Sequence, residues 1–459
     1  MTSPILDETT STFDLNGKTI EVNSDFEHAL DVVINQRKNV FITGKAGTGK
    51  STLLEIIKTK AKRKVVVLAP TGLAALNVGG RTIHSFFRLA PSVTLEEARE
   101  AGSKRSSDKV IQNLEIIVVD EISMVRADLL DCMDIFLKNA RGNNMPFGGI
   151  QMVFIGDLYQ LPPVLRFNDQ NDFKRMYASP YFFGAKIMEQ MLSGDSIFGE
   201  KELELIELQK IYRQNDQEFI DLLNSIRHGQ KTPEILTKLN QRVTTDISKT
   251  AITLTTTNEM AREINMINLD NLETESKFYK GLLTGKFSEK ELPTDMSLEL
   301  KPGARVMFVK NDSKGKWVNG TLGFVTEVLQ TSVKVKVDNK DEVEVSIEGW
   351  EIYKTNYNQE LNILENEVLG SFNQLPLKLA WAITIHKSQG QTFDEVVIDL
   401  KHRAFSAGQT YVALSRCRTF EGLYLTQKIQ PADIRTDFGV SKFLDKFNPA
   451  VDEVVLEME

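Results

Sequence analysis

A glycine-rich segment near the amino terminus has the residue types and spacing of a phosphate-binding loop. Residues 40–54 read VFITGKAGTGKSTLL and contain the pattern G-x-x-x-x-G-K-[ST] between an apolar run and a predicted helix. The glycines let the backbone turn tightly with its N–H groups directed at a polyphosphate. Lys50 would reach the β- and γ-phosphates of a nucleotide, and the Ser51 hydroxyl would ligate Mg²⁺. The predicted nucleotide contacts in this loop are Gly44, Ala46, Gly47, Thr48, Gly49, Lys50, Ser51 and Thr52.

Two carboxylates follow a second apolar run. Residues 115–120, EIIVVD, predict a buried strand that ends at Asp120 and is followed by Glu121. In an open parallel sheet, ligands bind at the carboxyl ends of the strands. Asp120 would therefore hold Mg²⁺, directly or through water, and Glu121 would orient and deprotonate the attacking water. The alternative is a helix N-cap with first-turn charge, but the phosphate loop upstream favours catalysis.

A glutamine lies beyond a third predicted strand. Residues 151–155 form this strand within NMPFGGIQMVFIGDLYQLPP, and Gln160 is predicted at the same edge of the sheet. An amide at this edge can hydrogen-bond a γ-phosphate and respond to its loss. The alternative is a surface glutamine in a loop.

These residues need a doubly wound α/β scaffold to bring them together. Apolar strands, loops and helices alternate through much of the chain, which is typical of that fold. Residues 91–109 are polar and charged and predict a small surface excursion or a short helical insertion between core elements. Residues 301–353 instead alternate with period two between Gly, Asn and Asp turns, which predicts a small antiparallel barrel or sheet inserted among the α/β elements.

Composition excludes several classes of protein. The 459 residues suggest two to four domains, and no apolar run reaches the ~18 residues of a membrane span. The start, MTSPILDETTSTFDLNG, is polar and acidic, unlike a signal or transit peptide. Two cysteines form neither a disulfide framework nor a metal cluster, which fits a reducing cytosol. With a net charge of −8, any DNA would have to bind in a locally basic groove.

The motifs in their order resemble the superfamily-one helicases of the five-prime-to-three-prime branch, and within them the Pif (petite integration frequency) family. They extend from Gly44 to Arg418 and so cover most of the chain. The resemblance implies an ATP-driven motor that moves 5′-to-3′ along single-stranded DNA and unwinds duplex or structured DNA, including forks and four-stranded guanine structures. The segments that carry it are GKAGTGKST, APTGLAA, TIHSFF, DEISMV, PFGGIQMVFIGDLYQLPPV, LQKIYRQND, AWAITIHKSQGQTFD and YVALSRCR.

The resemblance also implies an architecture. Two RecA-like P-loop NTPase lobes would hold ATP and Mg²⁺ at their interface, with a small wedge insert in the first lobe and an SH3-like β-barrel insert in the second. The expected divisions are residues 1–22 as a flexible leader, 23–85 and 110–190 as the first lobe, 86–109 as the wedge, 191–300 and 361–459 as the second lobe, and 301–360 as the SH3-like insert.

Further site residues follow from the resemblance alone. Lys50, Ser51, Asp120, Glu121 and Gln160 would lie on the first lobe. Two arginines of the second lobe, Arg213 and Arg416, would reach the γ-phosphate, although one could pair with a local acid and the other could be a solvated helix residue. Gly390 would contact the nucleotide. The residues expected along the DNA groove are Pro70, His84, Asn258, His386 and Lys387, although a lone histidine is more often a packing residue.

One position departs from the family pattern. Related helicases place a glutamine upstream of the phosphate loop to read the adenine edge, and here the matching position is Glu27, with Gln36 nearby. A carboxylate only accepts hydrogen bonds, whereas an amide both donates and accepts. The choice between adenine and other bases is therefore open.

Several functions remain open at this level. The main prediction is a DNA helicase that acts on single-stranded DNA and single/double-strand junctions, without a membrane and as a monomer in a bacterial-type cytoplasm. The same motor could be a single-strand translocase that displaces proteins and unwinds little. A nucleotide-gated adaptor that binds a partner through the barrel is an alternative from another class, and nothing in the residues excludes RNA unwinding.

Overall fold

The protein folds into two compact units. The computed structural model describes residues 11–15, 18–90, 93–165, 170–193, 202–214, 216–287, 292–338, 340–358 and 363–447. The first unit is made of the described residues within Met1–Asp157, Pro163–Tyr212 and Gln359–Ile363. The second is made of those within Leu158–Pro162, Arg213–Asn358 and Leu364–Glu459.

The first unit is a mixed α/β structure. Its elements are β1 (Ser11–Leu15), β2 (Lys18–Val22), α1 (Ser24–Leu30), a π-helix (Asp31–Gln36), β3 (Asn39–Gly44), α2 (Lys50–Lys60), β4 (Val65–Ala69), α3 (Gly72–Asn77), β5 (Arg81–Thr82), α4 (Ile83–Phe87), α5 (Leu95–Lys104), α6 (Lys109–Asn113), β6 (Ile116–Val119), α7 (Ala127–Arg141), β7 (Gln151–Ile155), α8 (Gln170–Met176), α9 (Lys186–Leu192) and β8 (Leu203–Leu208), with short 3-10 turns at Ile122–Met124, Pro146–Gly149 and Phe182–Gly184.

A parallel sheet in the order β5–β4–β6–β7–β3–β8 forms the centre of the first unit. Strands β3, β6 and β7 are continuous runs of apolar residues that are buried along nearly their whole length. Such runs suit parallel strands because crossover helices cover both faces of the sheet. The predicted α/β class with parallel sheets is therefore confirmed.

The second unit combines a parallel and an antiparallel part. Its elements are α10 (Gln217–Arg227), α11 (Pro233–Asn240), β9 (Ile252–Thr255), α12 (Asn258–Asp270), β10 (Lys277–Lys280), β11 (Leu282–Gly285), β12 (Ser297–Leu300), β13 (Arg305–Phe308), β14 (Leu322–Val328), β15 (Ser332–Val337), β16 (Glu342–Ser346), β17 (Glu348–Asn358), β18 (Ile363–Gln374), β19 (Leu377–Leu379), β20 (Ala382–Thr384), β21 (Val396–Asp399), α13 (Gln409–Leu414), β22 (Leu423–Leu425), a 3-10 turn (Pro431–Asp433) and α14 (Phe438–Asp445).

A parallel sheet in the order β20–β9–β21–β22 forms the α/β part of the second unit. The alternating stretch forms an antiparallel sheet in the order β16–β15–β14–β13–β19, and smaller sheets pair β10 with β12 and order β11–β18–β17. Alternate side chains such as Val333, Val335 and Val337 of β15 are buried in one core with Val306 and Phe308. This burial explains the period of two in the sequence.

Three boundaries differ from those predicted. The leader is not wholly flexible, because β1 and β2 pair as a hairpin and its Phe13 and Ile20 pack on the core of the first unit. The first unit continues past residue 190 to Tyr212, because β8 pairs in parallel with β3. The antiparallel part continues past residue 360, because β19 pairs with β13.

Residues 86–109, predicted as a wedge, lie in the first unit and contain α5. This helix packs closely on α7 at Gly102, where a Cβ would collide with the backbone of Phe136. Thr94 and Glu97 form a capping box that fixes the start of α5. Among the described residues, no helix combines the length and apolar character needed to cross a membrane.

Candidate nucleotide and nucleic-acid sites

The loop between β3 and α2 has the backbone of a phosphate cradle. Gly44, Gly47 and Gly49 have φ values of 153°, 86° and 84°. A Cβ on Gly44 would lie 2.8 Å from Thr48 Oγ1, and one on Gly49 would lie 2.9 Å from the Phe26 ring. Glycine is therefore required at both positions by the backbone conformation and by the lack of space.

Side chains of the loop are held by its own carbonyl groups. Lys50 Nζ donates to Gly44 O at 2.7 Å and to Lys45 O at 2.9 Å. Thr48 is buried and its Oγ1 donates to Lys45 O at 3.0 Å. The Lys50 ammonium is thus fixed over the loop. Ala46 is also buried.

The start of α2 completes the cradle. Ser51 is exposed in the first turn of this helix and Thr52 is half-buried beside it. The first N–H groups of a helix have no intrahelical acceptors, so they attract an anion. Together with the glycine backbone and Lys50, this arrangement fits a polyphosphate.

Asp120 and Glu121 lie at the carboxyl end of β6, which is separated from β3 by β7 alone. Burial, and then the charge of Glu121, raises the pKa of Asp120, while Lys50 acts in the opposite direction. Glu121 has φ 49° and ψ 44°, a left-handed conformation that is unfavourable for a non-glycine residue. A divalent cation would compensate two adjacent carboxylates of this kind, so the pair fits the expected Mg²⁺.

Gln160 does not lie on the first unit, where the sequence placed it. The segment Leu158–Pro162 leaves the end of β7 and belongs to the second unit. There the carbonyl groups of Tyr159 and Gln160 approach Gly408, the N-cap of α13, so closely that a Cβ on this glycine would collide with both. Gln160 is buried, and Tyr159 packs against the Arg227 guanidinium at 4.3 Å. These contacts place Gln160 in the second unit and correct its predicted place on the first.

Arg213, Arg416 and Gly390 come together in the second unit. Arg213 Nη1 donates to Ser415 O at 3.3 Å and Nη2 donates to Gly390 O at 3.5 Å. Arg416 Nη2 donates to Ser415 Oγ at 2.9 Å. Arg416 is almost fully buried, so it is not the solvated residue that the sequence left open. Gly390 has φ 76°, and nothing lies within 4 Å of the position that a Cβ would take there.

The backbone of Gln160 and the arginine pair are placed at opposite ends of α13. That backbone lies near the N-cap of α13, whereas Arg416 follows the other end of that helix. A helix of this length, Gln409–Leu414, spans about 9 Å at 1.5 Å per residue. The backbone of Gln160 thus meets the start of α13, and the two arginines meet at Ser415, which follows its end.

Pro70 and His84 lie at one edge of the first sheet. Leu68 of β4 pairs with Arg81 of β5, and both strands run in parallel towards Pro70 and His84. Burial, and then the positive charge of Arg126, lowers the pKa of His84. The structure therefore brings these two predicted DNA contacts to the same edge.

Asn258, His386 and Lys387 are grouped in the same way in the second unit. Thr384 of β20 pairs in parallel with Thr255 of β9, so the residues after both strands share one edge of the sheet. Asn258 and Lys387 are exposed, and His386 is half-buried. Burial lowers the pKa of His386. The two exposed side chains, Asn258 and Lys387, are therefore accessible to a DNA strand.

Sequence reasoning missed Tyr212. Its N–H donates to Gly47 O at 2.8 Å, and its ring lies 3.7 Å from the position that a Cβ of Gly49 would take. Its side chain is 41% exposed. The ring is thus a flat, accessible surface beside the phosphate loop. The signal was the aromatic residue that precedes Arg213 in IYRQ.

Comparison with known proteins gives one consistent family. The model of the family described as PIF1-like helicase matches residues 19–235. The ATP-dependent DNA helicase Pif1 of Bdellovibrio bacteriovorus is 32% identical over 440 residues, which cover 93% of this chain and 92% of that relative. The ATP-dependent DNA helicase PIF1 of Xenopus laevis is 33% identical over 440 residues, and the match covers 93% of this chain but 64% of that relative.

Solved structures agree with these matches. Pif1 from Bacteroides sp in complex with ADP-AlF4 has a TM-score of 0.82 and 34% identity, covering 94% of this chain and 98% of that chain. Bacteroides Pif1 bound to ssDNA has a TM-score of 0.65 and 35% identity, covering 93% of this chain and 97% of that chain. The Pif1 helicase from Candida albicans has a TM-score of 0.70 and 31% identity, covering 93% and 99%.

Proposed function

This chain belongs to the PIF1-like helicase family and is an ATP-dependent DNA helicase, and we propose that it moves 5′-to-3′ on single-stranded DNA and unwinds duplex or structured DNA. The use of a nucleotide is supported by the phosphate loop, in which Lys50 is fixed over the loop carbonyl groups, and by Asp120, which is buried at the end of β6. Its fit to a polyphosphate and a cation supports ATP and Mg²⁺ as the cofactors.

We assign the nucleotide chemistry of the first unit to four side chains. Lys50 would exchange its loop carbonyl acceptors for the β- and γ-phosphates. Asp120 and Ser51 would ligate Mg²⁺, which when bound neutralises phosphate charge. Glu121 would hold the attacking water by hydrogen bond and accept its proton.

Arg213 and Arg416 are proposed to act on the γ-phosphate during hydrolysis. Guanidinium groups stabilise the charge on the transferring phosphoryl group better than they stabilise bound ATP, so they raise the rate more than the affinity. Their common attachment to Ser415 supports a joint role. Gln160 is proposed to sense the γ-phosphate.

Tyr212 is proposed as the platform for the nucleoside base, because its exposed ring borders the phosphate loop. Glu27 is exposed on α1, directly after the Phe26 ring that borders Gly49. Hydrolysis rates with ATP, GTP, CTP and UTP would show whether the base that Glu27 would face is restricted to adenine.

The DNA strand is proposed to follow the two sheet edges that carry Pro70 and His84 in the first unit and Asn258, His386 and Lys387 in the second. Single-stranded DNA and single/double-strand junctions would be the substrates. The antiparallel sheet, proposed as the SH3-like insert, would guide DNA without contacting nucleotide. We also propose a monomer and a cytoplasmic location, to be tested by light scattering with and without forked DNA and by cell fractionation.

The decisive measurement is the ATPase rate against single-stranded DNA, duplex DNA and RNA. A helicase predicts strong stimulation by single-stranded DNA, whereas a nucleotide-gated adaptor predicts little. A strand-separation assay beside a streptavidin-displacement assay then distinguishes unwinding from translocation without unwinding. Absence of DNA stimulation would overturn the proposed function.

A further inference from the structure

An arginine ends α4 in an unfavourable backbone conformation. Arg88 is the C-terminal cap of this helix, with φ 58° and ψ 42°. Glycine is the usual residue at such a left-handed cap, because a Cβ is disfavoured there. The Arg88 side chain is exposed, and no carboxylate lies within ion-pair distance of it in the part of the chain that the structure describes. The local fold therefore gives no reason for an arginine at this position.

A second arginine, Arg81, lies seven residues earlier in the chain, on β5. Arg81 Nη2 donates to Ser85 O at 3.2 Å and to Ser85 Oγ at 3.3 Å. Its guanidinium lies 5.5 Å from the centre of the Phe86 ring. Its Nε is buried without an acceptor. These contacts fix the guanidinium in place, and none of them neutralises its charge.

A third arginine shows the contrast. Arg105 Nη1 donates to Phe86 O at 2.9 Å, and its Nη2 pairs with Asp108 Oδ2 at 2.5 Å. Arg105 is thus neutralised locally, while Arg81 and Arg88 are not. Burial, and then the positive charges of Arg105 and Arg88, lowers the pKa of Arg81 to about 10. Like charges are held close together here, an arrangement that an anion would stabilise.

This cluster lies beside the expected DNA contacts. The pairing of Ala69 with Thr82 puts the end of β5 next to Pro70, and α4 carries His84. Because its pKa is lowered, His84 is uncharged near neutral pH. The positive charge at this edge of the sheet is therefore supplied by the arginines.

The anion is not the phosphate chain of the nucleotide. Strand β5 is four positions from β3 in the order β5–β4–β6–β7–β3. At about 4.8 Å per strand, that places the cluster roughly 19 Å from the phosphate loop. A nucleotide held by Lys50 cannot also reach Arg88 with its phosphates.

We propose that Arg81 and Arg88 form a phosphate-binding site for the backbone of single-stranded DNA at the β4–β5 edge of the first unit. This inference rests on the proposed function, because it requires DNA as the substrate. Arg81 is the fixed member, held by Ser85 and Phe86. Arg88 is the exposed member, whose charge completes the site.

The chain offers a matched pair of variants. Arg37 is also exposed and left-handed, with φ 59° and ψ 31°, but it precedes β3 and so lies at the opposite, amino-terminal edge of the sheet. Arg88→Gly and Arg37→Gly each remove one charge and relieve the same backbone conformation. Both variants should have melting temperatures at or above that of the wild type, so a change in DNA affinity would not be caused by misfolding.

The experiment measures affinity for a fluorescent oligothymidine over a tenfold range of salt. Loss of one phosphate contact should reduce the log–log salt slope of Arg88→Gly by about 0.7, so that its affinity deficit at the lowest salt is about fivefold larger than at the highest. Arg88→Lys should keep the wild-type slope. Arg37→Gly should also keep it.

The outcomes are separable. A wild-type slope in Arg88→Gly would overturn the site while leaving the proposed function intact. Equal loss in Arg88→Gly and Arg37→Gly would reduce the effect to net charge and also overturn it. A slope change seen with duplex but not with the oligothymidine would reject the assignment to single strands. A wild-type protein that binds no single-stranded DNA would refute the proposed function itself.

Discussion

Arg213 and Arg416 hydrogen-bond the same residue from two sides: Arg213 donates to the carbonyl oxygen of Ser415, and Arg416 donates to its hydroxyl. Arg416 is further held by Val412 O at 2.9 Å and Gln391 O at 3.3 Å. Two guanidinium groups of the second unit are thus fixed relative to each other before any nucleotide is bound. Such preorganisation is what stabilisation of a developing charge requires.

Arg416→Ala should keep ATP affinity within about tenfold but lose DNA-stimulated hydrolysis by about 10³-fold or more, because the contact belongs to the transition state. Arg416→Lys should restore little, since an ammonium lacks the planar two-pronged geometry. The measurements are binding of a fluorescent ATP analogue and steady-state ATPase with saturating oligonucleotide. Normal hydrolysis by DNA-bound Arg416→Ala would remove the arginine from the mechanism.

A nearby arginine provides the control for that experiment. Arg418 is 54% exposed and pairs with Asp394 at 2.6 Å, so Arg418→Ala should leave hydrolysis unchanged. Arg416→Ala also removes the donor to the Gln391 carbonyl oxygen, and an unsatisfied buried acceptor costs about 1–3 kcal/mol. Melting temperatures of both variants are needed so that lost activity is not confused with unfolding.

Glu121→Gln should bind Mg·ATP and slow hydrolysis by about 10²–10⁴-fold, because Asp120 is retained while the water loses its base. The amide has nearly the same shape as the carboxylate, so the left-handed backbone at this position is equally strained in both proteins. Lys50→Ala should instead weaken nucleotide binding itself, because the phosphates lose their fixed cation. Turnover by Glu121→Gln within a few-fold of wild type would show that another group accepts the proton.

Gly408→Ala should displace the carbonyl groups of Tyr159 and Gln160 and so reduce DNA-stimulated hydrolysis, by about 10²-fold for a displacement near 1 Å. Gly315→Ala is the matched control. Gly315 has φ 74°, close to the 71° of Gly408, but nothing lies within 4 Å of its added Cβ. The control should lose about 1 kcal/mol of stability from backbone strain alone. Equal ATPase rates in the two variants would show that the position of Gln160 is unimportant.

Arg305→Ala should lower the free energy of unfolding by about 3–5 kcal/mol, because it leaves the Asp338 carboxylate half-buried without its partner. Arg305 has no exposed side-chain surface, pairs with Asp338 through both guanidinium ends at 2.6 Å and donates to Thr250 O. Urea unfolding should show this loss. Asp394→Ala, which breaks an exposed pair, should lose about 0–1 kcal/mol. If Arg305→Ala lost no more unfolding free energy than Asp394→Ala, solvent would be shown to compensate the charge of Asp338.

The sequence by itself determined the features that depend on local backbone preference. The glycines at 44, 47 and 49 mark a turn that only they adopt easily, and apolar runs such as those of β6 and β7 can be stable only as buried strands. The period of two in β15 likewise predicted an antiparallel sheet with one buried face. The phosphate loop, Asp120 and the α/β class were therefore accessible without coordinates.

Only the tertiary structure decided which distant segments meet. Nothing local in LELIEL shows that β8 pairs with β3, so the first unit was predicted to end too early. Gln160 was assigned to the unit that contains β7, but the missing Cβ of Gly408 lets its backbone dock in the other unit. The uncompensated charges of Arg81 and Arg88 also became visible only once the ion pair of Arg105 with Asp108 was known. Each of these depends on contacts between residues far apart in the chain, and local preference does not encode them.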